Sequence, residues 1–142
     1  MRRVWLGASA VVVLAATSPG PVLVEHAWAR ASLPGQDMAA AYLTLTSPAD
    51  DELTRVDADH AAASIHRTVR TDGMSRMGDI ALLPLPAGQP VPLAPGGTHI
   101  MLMLPPGQSL PEGSTVRLTL HFRHAPDEQV TVPVRPARAT GP

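Results

Sequence analysis

The chain has 142 residues, of which 44% are hydrophobic and 3% aromatic, and a formal net charge of -1 at pH 7. This length supports one hydrophobic core, and the 11 basic residues, all arginines, form no cluster that suits a phosphate backbone. We therefore expect one domain and no nucleic-acid partner. Cysteine is absent, which excludes disulfides, a lipid-bearing cysteine, thiolate metal sites and thiol nucleophiles.

Residues 1–18 have the features of a secretory signal. Arg2 and Arg3 precede an apolar run from Val4 to Ala16, which is the order of a positive region and a hydrophobic region. An uncleaved anchor is the alternative, but a membrane span needs about 20 apolar residues. We expect cleavage between about Ala16 and Ser18, a periplasmic or otherwise extracytoplasmic location, and no membrane insertion afterwards.

Apolar and polar residues alternate through most of residues 22–135, which is typical of half-buried antiparallel strands. Four segments have every second residue on one predicted face, and these residues are apolar except for His26. They are Val22, Val24, His26 and Trp28; Leu43 and Leu45; Val116, Leu118, Leu120 and Phe122; and Val130, Val132 and Val134. Proline and glycine turns separate the segments. The pattern predicts an all-β, Greek-key β-sandwich of seven to nine strands over 22–135, with a disordered tail over 136–142.

The segment 98–104 predicts a strand with two unlike faces. Its aliphatic residues share one face, whereas His99, Met101 and Met103 share the other. The aliphatic face suffices to dock the strand on a core. On this strand alone, methionines that fill gaps in packing are the more common explanation.

A second segment favours a ligand role over packing for these side chains. His66 lies between Ile65 and Val69 in a predicted strand and points away from the side that those residues bury. Asp72-Gly73 predicts a hairpin turn, which returns the chain so that Met77 lies beside the strand of His66. Two imidazoles and two thioethers are then expected on one surface.

This donor set indicates copper(I). Copper(I) is a soft ion that accepts sulfur and imidazole ligands, whereas thioether is a poor ligand for zinc, magnesium or calcium. The predicted metal ligands are His66, Met77, His99 and Met101. We treat Met38 and Met103 as residues that shield the site or pack beside it.

The spacing of these four residues resembles the signature of the periplasmic copper chaperone family written PCu(A)C: a His, ten residues, a Met, twenty-one residues, then His-x-Met. Chance produces this spacing in roughly 4 of 10,000 chains of this composition. The resemblance implies a cupredoxin-like fold and a copper(I) chaperone that delivers copper to the binuclear centre of cytochrome c oxidase. Its implied partners are copper, an oxidase subunit and another copper chaperone. Many members have a Met just after the first His, where this chain has Arg67 and Thr68.

Other functions stay open at this stage. A secreted sandwich that binds a protein through a methionine-rich surface, or a copper-resistance or storage protein without a dedicated recipient, fits the same composition. No catalytic motif is present, and blue-copper electron transfer needs a cysteine, so we do not expect an enzyme. His121 and His124 are interpreted as solvated histidines, with a second, copper(II) site as the alternative.

Overall fold

A computed structural model describes residues 20–142, so the predicted signal over 1–18 lies outside the described part of the chain. The described part forms ten strands, and none of it is a helix that is long and apolar enough to cross a membrane. The strands are β1 (Leu23–Arg30), β2 (Met38–Thr46), β3 (Asp51–Ala58), β4 (Ala62–Thr71), β5 (Met74–Asp79), β6 (Leu83–Leu85), β7 (Val91–Leu93), β8 (Thr98–Met103), β9 (Thr115–Phe122) and β10 (Glu128–Arg135).

The strands pair in the order β5-β4-β8-β2-β1-β10-β9-β3-β6, with β7 beside β2. All of these pairs are antiparallel except β1 and β10, which run parallel from Ala29 opposite Val134 to Arg30 opposite Arg135. The chain folds over at this short junction. One layer is β5-β4-β8-β2-β1 with β7 beside β2, and the other is β10-β9-β3-β6. This confirms the predicted all-β sandwich, but the predicted count of seven to nine strands is wrong, because the described residues form ten.

The core lies between the layers and follows the alternation of the sequence. Leu43 and Leu45 of β2 and Leu118 and Leu120 of β9 are buried, and they belong to one apolar cluster. Each fully buried leucine contributes about 1.5–3 kcal/mol relative to an exposed one. Alternation therefore decides which face of each layer is available for other chemistry.

The first strand departs from strict alternation. Alternation places Trp28 on the same face as Val24, and this prediction is wrong. The pairing of β1 with β2 shifts register between Glu25 and Trp28, and His26 takes a φ of 53°. Such a bulge adds one residue and reverses the faces beyond it, so Ala29 enters the core and Trp28 lies on the outer face.

A hairpin made of β4 and β5 extends past the sandwich. Its turn has positive φ at Asp72 (53°) and Gly73 (77°), as the predicted Asp-Gly hairpin turn requires. Every residue of β5 is exposed, because nothing within residues 20–142 covers this end of the hairpin from the opposite layer. The expectation that Val69 is buried beside Ile65 is therefore wrong: Val69 is 50% exposed.

Beyond β10, the carbonyl oxygen of Ala139 accepts a hydrogen bond of 2.9 Å from Nη2 of Arg30. The domain bounds of 22–135 and the disorder of 136–142 stay predictions.

Candidate metal centre

The four predicted ligand residues lie on the outer face of the β5-β4-β8-β2-β1 layer. Directly opposed residues of antiparallel strands point to the same face, and His66 of β4 is opposed by His99 of β8. Met101 follows His99 by two residues, and Met77 is opposed by Thr68, which follows His66 by two residues. The register therefore directs all four side chains to one face.

His99 and Met101 are buried although they point away from the core, with 5% and 8% of their surface exposed. Nδ1 of His99 lies 3.0 Å from the carbonyl oxygen of Gly97. Because a carbonyl oxygen only accepts, Nδ1 carries the proton and Nε2 keeps its lone pair. A hydrogen bond of this kind orients a metal-binding imidazole. The lone pair of His99 Nε2 is thus available to a ligand or an ion.

An aromatic cluster surrounds this part of the outer face. The rings of Trp28 and Tyr42 are 4.6 Å apart, and that of Tyr42 is 6.4 Å from His99. The guanidinium of Arg30 lies 5.8 Å from the Trp28 ring and 5.6 Å from the Tyr42 ring. Burial raises the pKa of Tyr42, while the charge of Arg30 acts in the opposite direction. The cluster immobilises the surroundings of His99 and keeps a neutral phenol beside it.

Met101 borders an open cavity of about 360 Å³ that also contacts Met38. Met38 is opposed by Met103 across β2 and β8, and both are about half exposed. The cavity gives the Met101 thioether room to change rotamer, and the two outer methionines lie in the next row of the same face.

His66 stands between β8 and β5. Its ring centroid is 6.0 Å from that of His99, and its side chain is 19% exposed. Nε2 lies 2.9 Å from Oγ of Ser64 and also contacts the carboxylate of Asp79, the residue opposed to His66 on β5. Nδ1 is buried, and the described part of the chain provides no hydrogen-bond partner for it. One ring nitrogen is therefore engaged and the other is free.

Met77 lies farther away, on the edge strand, and is 57% exposed. Met77 is two strands away from Met101 and four residues farther along the strand direction. In a flat sheet, this offset places their Cα atoms roughly 16 Å apart. Only opposed and diagonal neighbours meet on a sheet face. The structure thus brings together His66, His99 and Met101, and it leaves Met77 diagonal to His66.

The other conspicuous histidine, His121, is held between two carboxylates instead of being free in solvent. Its Nε2 lies 2.7 Å from Oδ2 of Asp57 and its Nδ1 lies 3.0 Å from Oδ2 of Asp127. Hydrogen bonding to His121 is the foremost reason that the pKa of Asp57 lies below its usual value. Because the two carboxylates sit at opposite ring nitrogens, they do not converge on one ion.

The available donors decide which metals the outer face suits. In the part of the chain that the structure describes, no group of three His, Cys, Asp or Glu residues is placed to hold a metal ion. Of the other predicted ligands, the one beside the two imidazoles is Met101, and its thioether sulfur favours a soft ion. The free Nε2 of His99 and the unpartnered Nδ1 of His66 fit such an ion.

Several residues that support this centre were not identified from the sequence. They are Ser64 and Asp79 beside His66, and Gly97 and Tyr42 beside His99. Alternation after Met77 places Asp79 on the ligand face, which is a usable signal. Its contact with His66, however, depends on the register of β4 and β5.

Comparison with known families gives a match over residues 22–134 to the family described as "Putative lipoprotein LpqE-like". A protein of Leifsonia xyli subsp. xyli, described as "Putative lipoprotein Lxx21020", is 35% identical over 120 residues. That alignment covers 80% of this chain and 69% of the relative.

Solved PCuAC domains share the fold. The apo PCuAC domain of PmoF2 is 25% identical, with a TM-score of 0.70 over 88% of this chain and 98% of that domain. The copper-bound PCuAC domain of PmoF2 is 26% identical (TM-score 0.65, covering 84% and 97%). Copper(I)-loaded DR1885 of Deinococcus radiodurans is 27% identical (TM-score 0.63, covering 84% and 81%). The cupredoxin-like fold and the resemblance to PCu(A)C proteins are confirmed.

Proposed function

This chain belongs to the LpqE-like family, which its residues 22–134 match, and from that membership we propose that it binds copper(I) as an extracytoplasmic copper chaperone. The proposed ligands are His66, Met77, His99 and Met101. The observation that carries the proposal is the pair of imidazoles, 6.0 Å apart, in the row next to the buried thioether of Met101. The core does not need these side chains, because all of them lie on the outer face.

The similar structures support copper as the cargo. One is a copper-bound PCuAC domain and another is a copper(I)-loaded protein. The oxidation state agrees with the donors of this chain, since thioether and imidazole suit copper(I) and no thiolate is available. Three ligands are already neighbours, and Met77 joins them when the exposed hairpin bends toward β8.

We place the delivery target at the binuclear copper centre of cytochrome c oxidase, with an oxidase subunit or another copper chaperone as the partner. The resemblance to PCu(A)C proteins supports this target. Neutral thioether ligands favour delivery over storage, because they hold a soft ion without a strongly bound thiolate. A partner with a thiolate site therefore has a thermodynamic advantage in the exchange.

The proposed location is outside the cytoplasm, with residues 1–18 as the export signal. The lipoprotein descriptions of the family and of the Leifsonia protein agree with export. These 142 residues contain no cysteine, so none of them can carry the thioether-linked lipid of a bacterial lipoprotein. We therefore assign export to the signal and not to a lipid anchor within this sequence.

An anaerobic titration against a chromophoric copper(I) chelator tests binding. We expect one copper(I) per chain and an X-ray absorption spectrum with two sulfur and two nitrogen scatterers. Absence of copper(I) binding by the wild-type chain would refute the proposal.

Delivery needs a separate experiment. The copper-loaded chain is mixed with the copper-free soluble domain that carries the binuclear centre, and absorption of the assembled centre is followed. Transfer supports the proposed target. Tight copper binding with no transfer to this domain would instead favour resistance or storage.

A further inference from the structure

The contact between His66 and Asp79 is not part of the proposed ligand set. The two residues are directly opposed across β4 and β5. Next to this pair, the backbone N–H of Ile80, which follows Asp79, donates a 2.9 Å hydrogen bond to the carbonyl oxygen of Ile65, which precedes His66. This bond fixes the end of β5, so the backbone holds the Asp79 carboxylate beside Nε2 of His66.

The contact decides which nitrogen of His66 carries the proton. An ionised carboxylate has no proton to donate, so Nε2 of His66 is the donor to Asp79. Oγ of Ser64, 2.9 Å from Nε2, is a second acceptor for the same N–H. In a neutral imidazole the lone pair is then on Nδ1. That atom is buried, and no group within residues 20–142 forms a hydrogen bond with it, whereas buried polar atoms in folded proteins are normally paired. A buried, unpaired lone pair beside a second imidazole is the expected form of a metal ligand before the metal binds.

His99 also has one ring nitrogen that donates a hydrogen bond and one that is free, but the two nitrogens are exchanged. Its Nδ1 donates to the carbonyl oxygen of Gly97 at 3.0 Å, which leaves Nε2 as the free atom. Each of the two imidazoles thus has one nitrogen held by an acceptor and one left for a ligand. For His99 the acceptor is the backbone carbonyl of Gly97, just before β8. For His66 it is the side-chain carboxylate of Asp79 on the hairpin.

We propose that Asp79 is a positioning residue of the copper site: it holds Nε2–H of His66, so that His66 binds copper(I) through Nδ1 while His99 binds through Nε2. This inference rests on the proposed function. A carboxylate behind a histidine fixes its tautomer and ring orientation and makes the other nitrogen a better ligand. Asp79 itself does not touch the ion.

A simple surface ion pair is the competing explanation, and it predicts a different result. The Asp79 side chain is 76% exposed, and exposed pairs contribute little to folding stability. Removal of Asp79 therefore leaves the fold nearly unchanged under either explanation. Only a positioning role predicts that copper affinity falls.

The test compares Asp79→Ala and Asp79→Asn with the matched control Asp127→Ala. Asp127 also contacts a histidine, His121 at 3.0 Å, so the control removes the same charge and a similar contact. We expect Asp79→Ala to weaken copper(I) binding by about 10- to 100-fold, the usual cost of losing an outer partner of a metal-binding histidine. Asp79→Asn should lose less, because its amide oxygen still accepts from Nε2–H, and Asp127→Ala should match wild type.

Nitrogen-15 NMR of the imidazoles measures the tautomer of His66 directly, and this tautomer does not depend on the stability of the fold. In the copper-free protein His66 should be the Nε2–H tautomer, and Asp79→Ala should populate the other tautomer. Copper(I) should shift the Nδ1 resonance of wild-type His66. Equal or higher affinity in Asp79→Ala, or copper on Nε2 of His66, would overturn the inference. If wild type bound no copper(I), the proposed function would fail, while the tautomer of the copper-free protein would still be measurable.

Discussion

Two regions of the molecule contribute to one ligand face, and they differ in how firmly they are built. β8 provides His99 and Met101, which are buried beside an aromatic cluster. The hairpin of β4 and β5 provides His66 and Met77, of which Met77 is 57% exposed. The β8 half of the proposed site is therefore in place before the metal arrives, with His66 already beside it, whereas the hairpin half is completed only when Met77 on the edge strand is brought to them.

The difference follows from the positions of the strands in the layer. β8 has a hydrogen-bonded neighbour on each side, β4 and β2, whereas β5 is an edge strand that pairs with β4 alone. Segments with few buried contacts and exposed hydrogen bonds open locally at low free energy. A carrier that must both hold and release an ion benefits from some ligands on a fixed strand and others on a strand that can move.

The most severe test of this comparison removes the fixed half. Replacement of His99 and Met101 together by Ala should weaken copper(I) binding by more than about 100-fold, beyond the cost of losing an outer partner of a ligand. Chelator competition measures the change. Met103→Leu, on the same strand and face, is the control and should bind like wild type. Unchanged binding in the double variant would show that the site is wrongly assigned.

Replacement of Met77 by Leu tests the movable half. We expect a loss of about tenfold, since one of several soft ligands is removed, with unfolding free energy changed by less than about 0.5 kcal/mol because the side chain is exposed. Met74→Leu is the control, since Met74 is 62% exposed on the other face of the hairpin. A loss equal to that of the β8 variant would contradict the division into fixed and movable halves.

Hydrogen exchange should show the same division in the wild-type chain. Copper(I) stabilises the states that bind it by mass action, so amides of the edge strand β5 should exchange more slowly after loading. Amides of β4 and β8 should change little, because both strands are already paired on both sides. Equal protection of β8 and β5 would mean that the whole site orders on binding.

Acid should lower the stability of the fold through the carboxylate of Asp51. The carboxylate of Asp51 accepts hydrogen bonds from the backbone N–H groups of Glu52 (2.8 Å), His124 (3.0 Å) and Ala125 (2.8 Å). Burial tends to raise the pKa of Asp51, but these bonds and the charge of His124 together lower it below the usual value. The group therefore contributes stability above its unfolded pKa, and this stability is lost as the pH falls through the folded pKa.

We accordingly expect the free energy of unfolding to decrease below about pH 4. Asp51→Ala should cost about 1–3 kcal/mol at neutral pH, because three donors lose their acceptor, and should flatten the acid dependence. Urea denaturation between pH 3 and 7 measures both effects. An acid dependence that persists in Asp51→Ala would assign the transition to another carboxylate.

Local patterns in the sequence determined much of this protein. Alternation assigned Ile100 and Leu102 to the core and His99 and Met101 to the outer face. Asp72-Gly73 supplied the hairpin turn, because the left-handed conformation is a property of a few residues. Such features depend on neighbours within a few positions, and the spacing of the proposed ligands is equally local in origin.

Tertiary structure decided the rest. The bulge in β1 that turns Trp28 outward, the carboxylate of Asp79 beside His66, and the separation of Met77 from Met101 all depend on which strands pair and in which register. Register is set by packing of the whole layer, and a shift of one residue reverses every side chain. The proposed ligand set was therefore readable from the sequence, whereas its division into a fixed and a movable half was not.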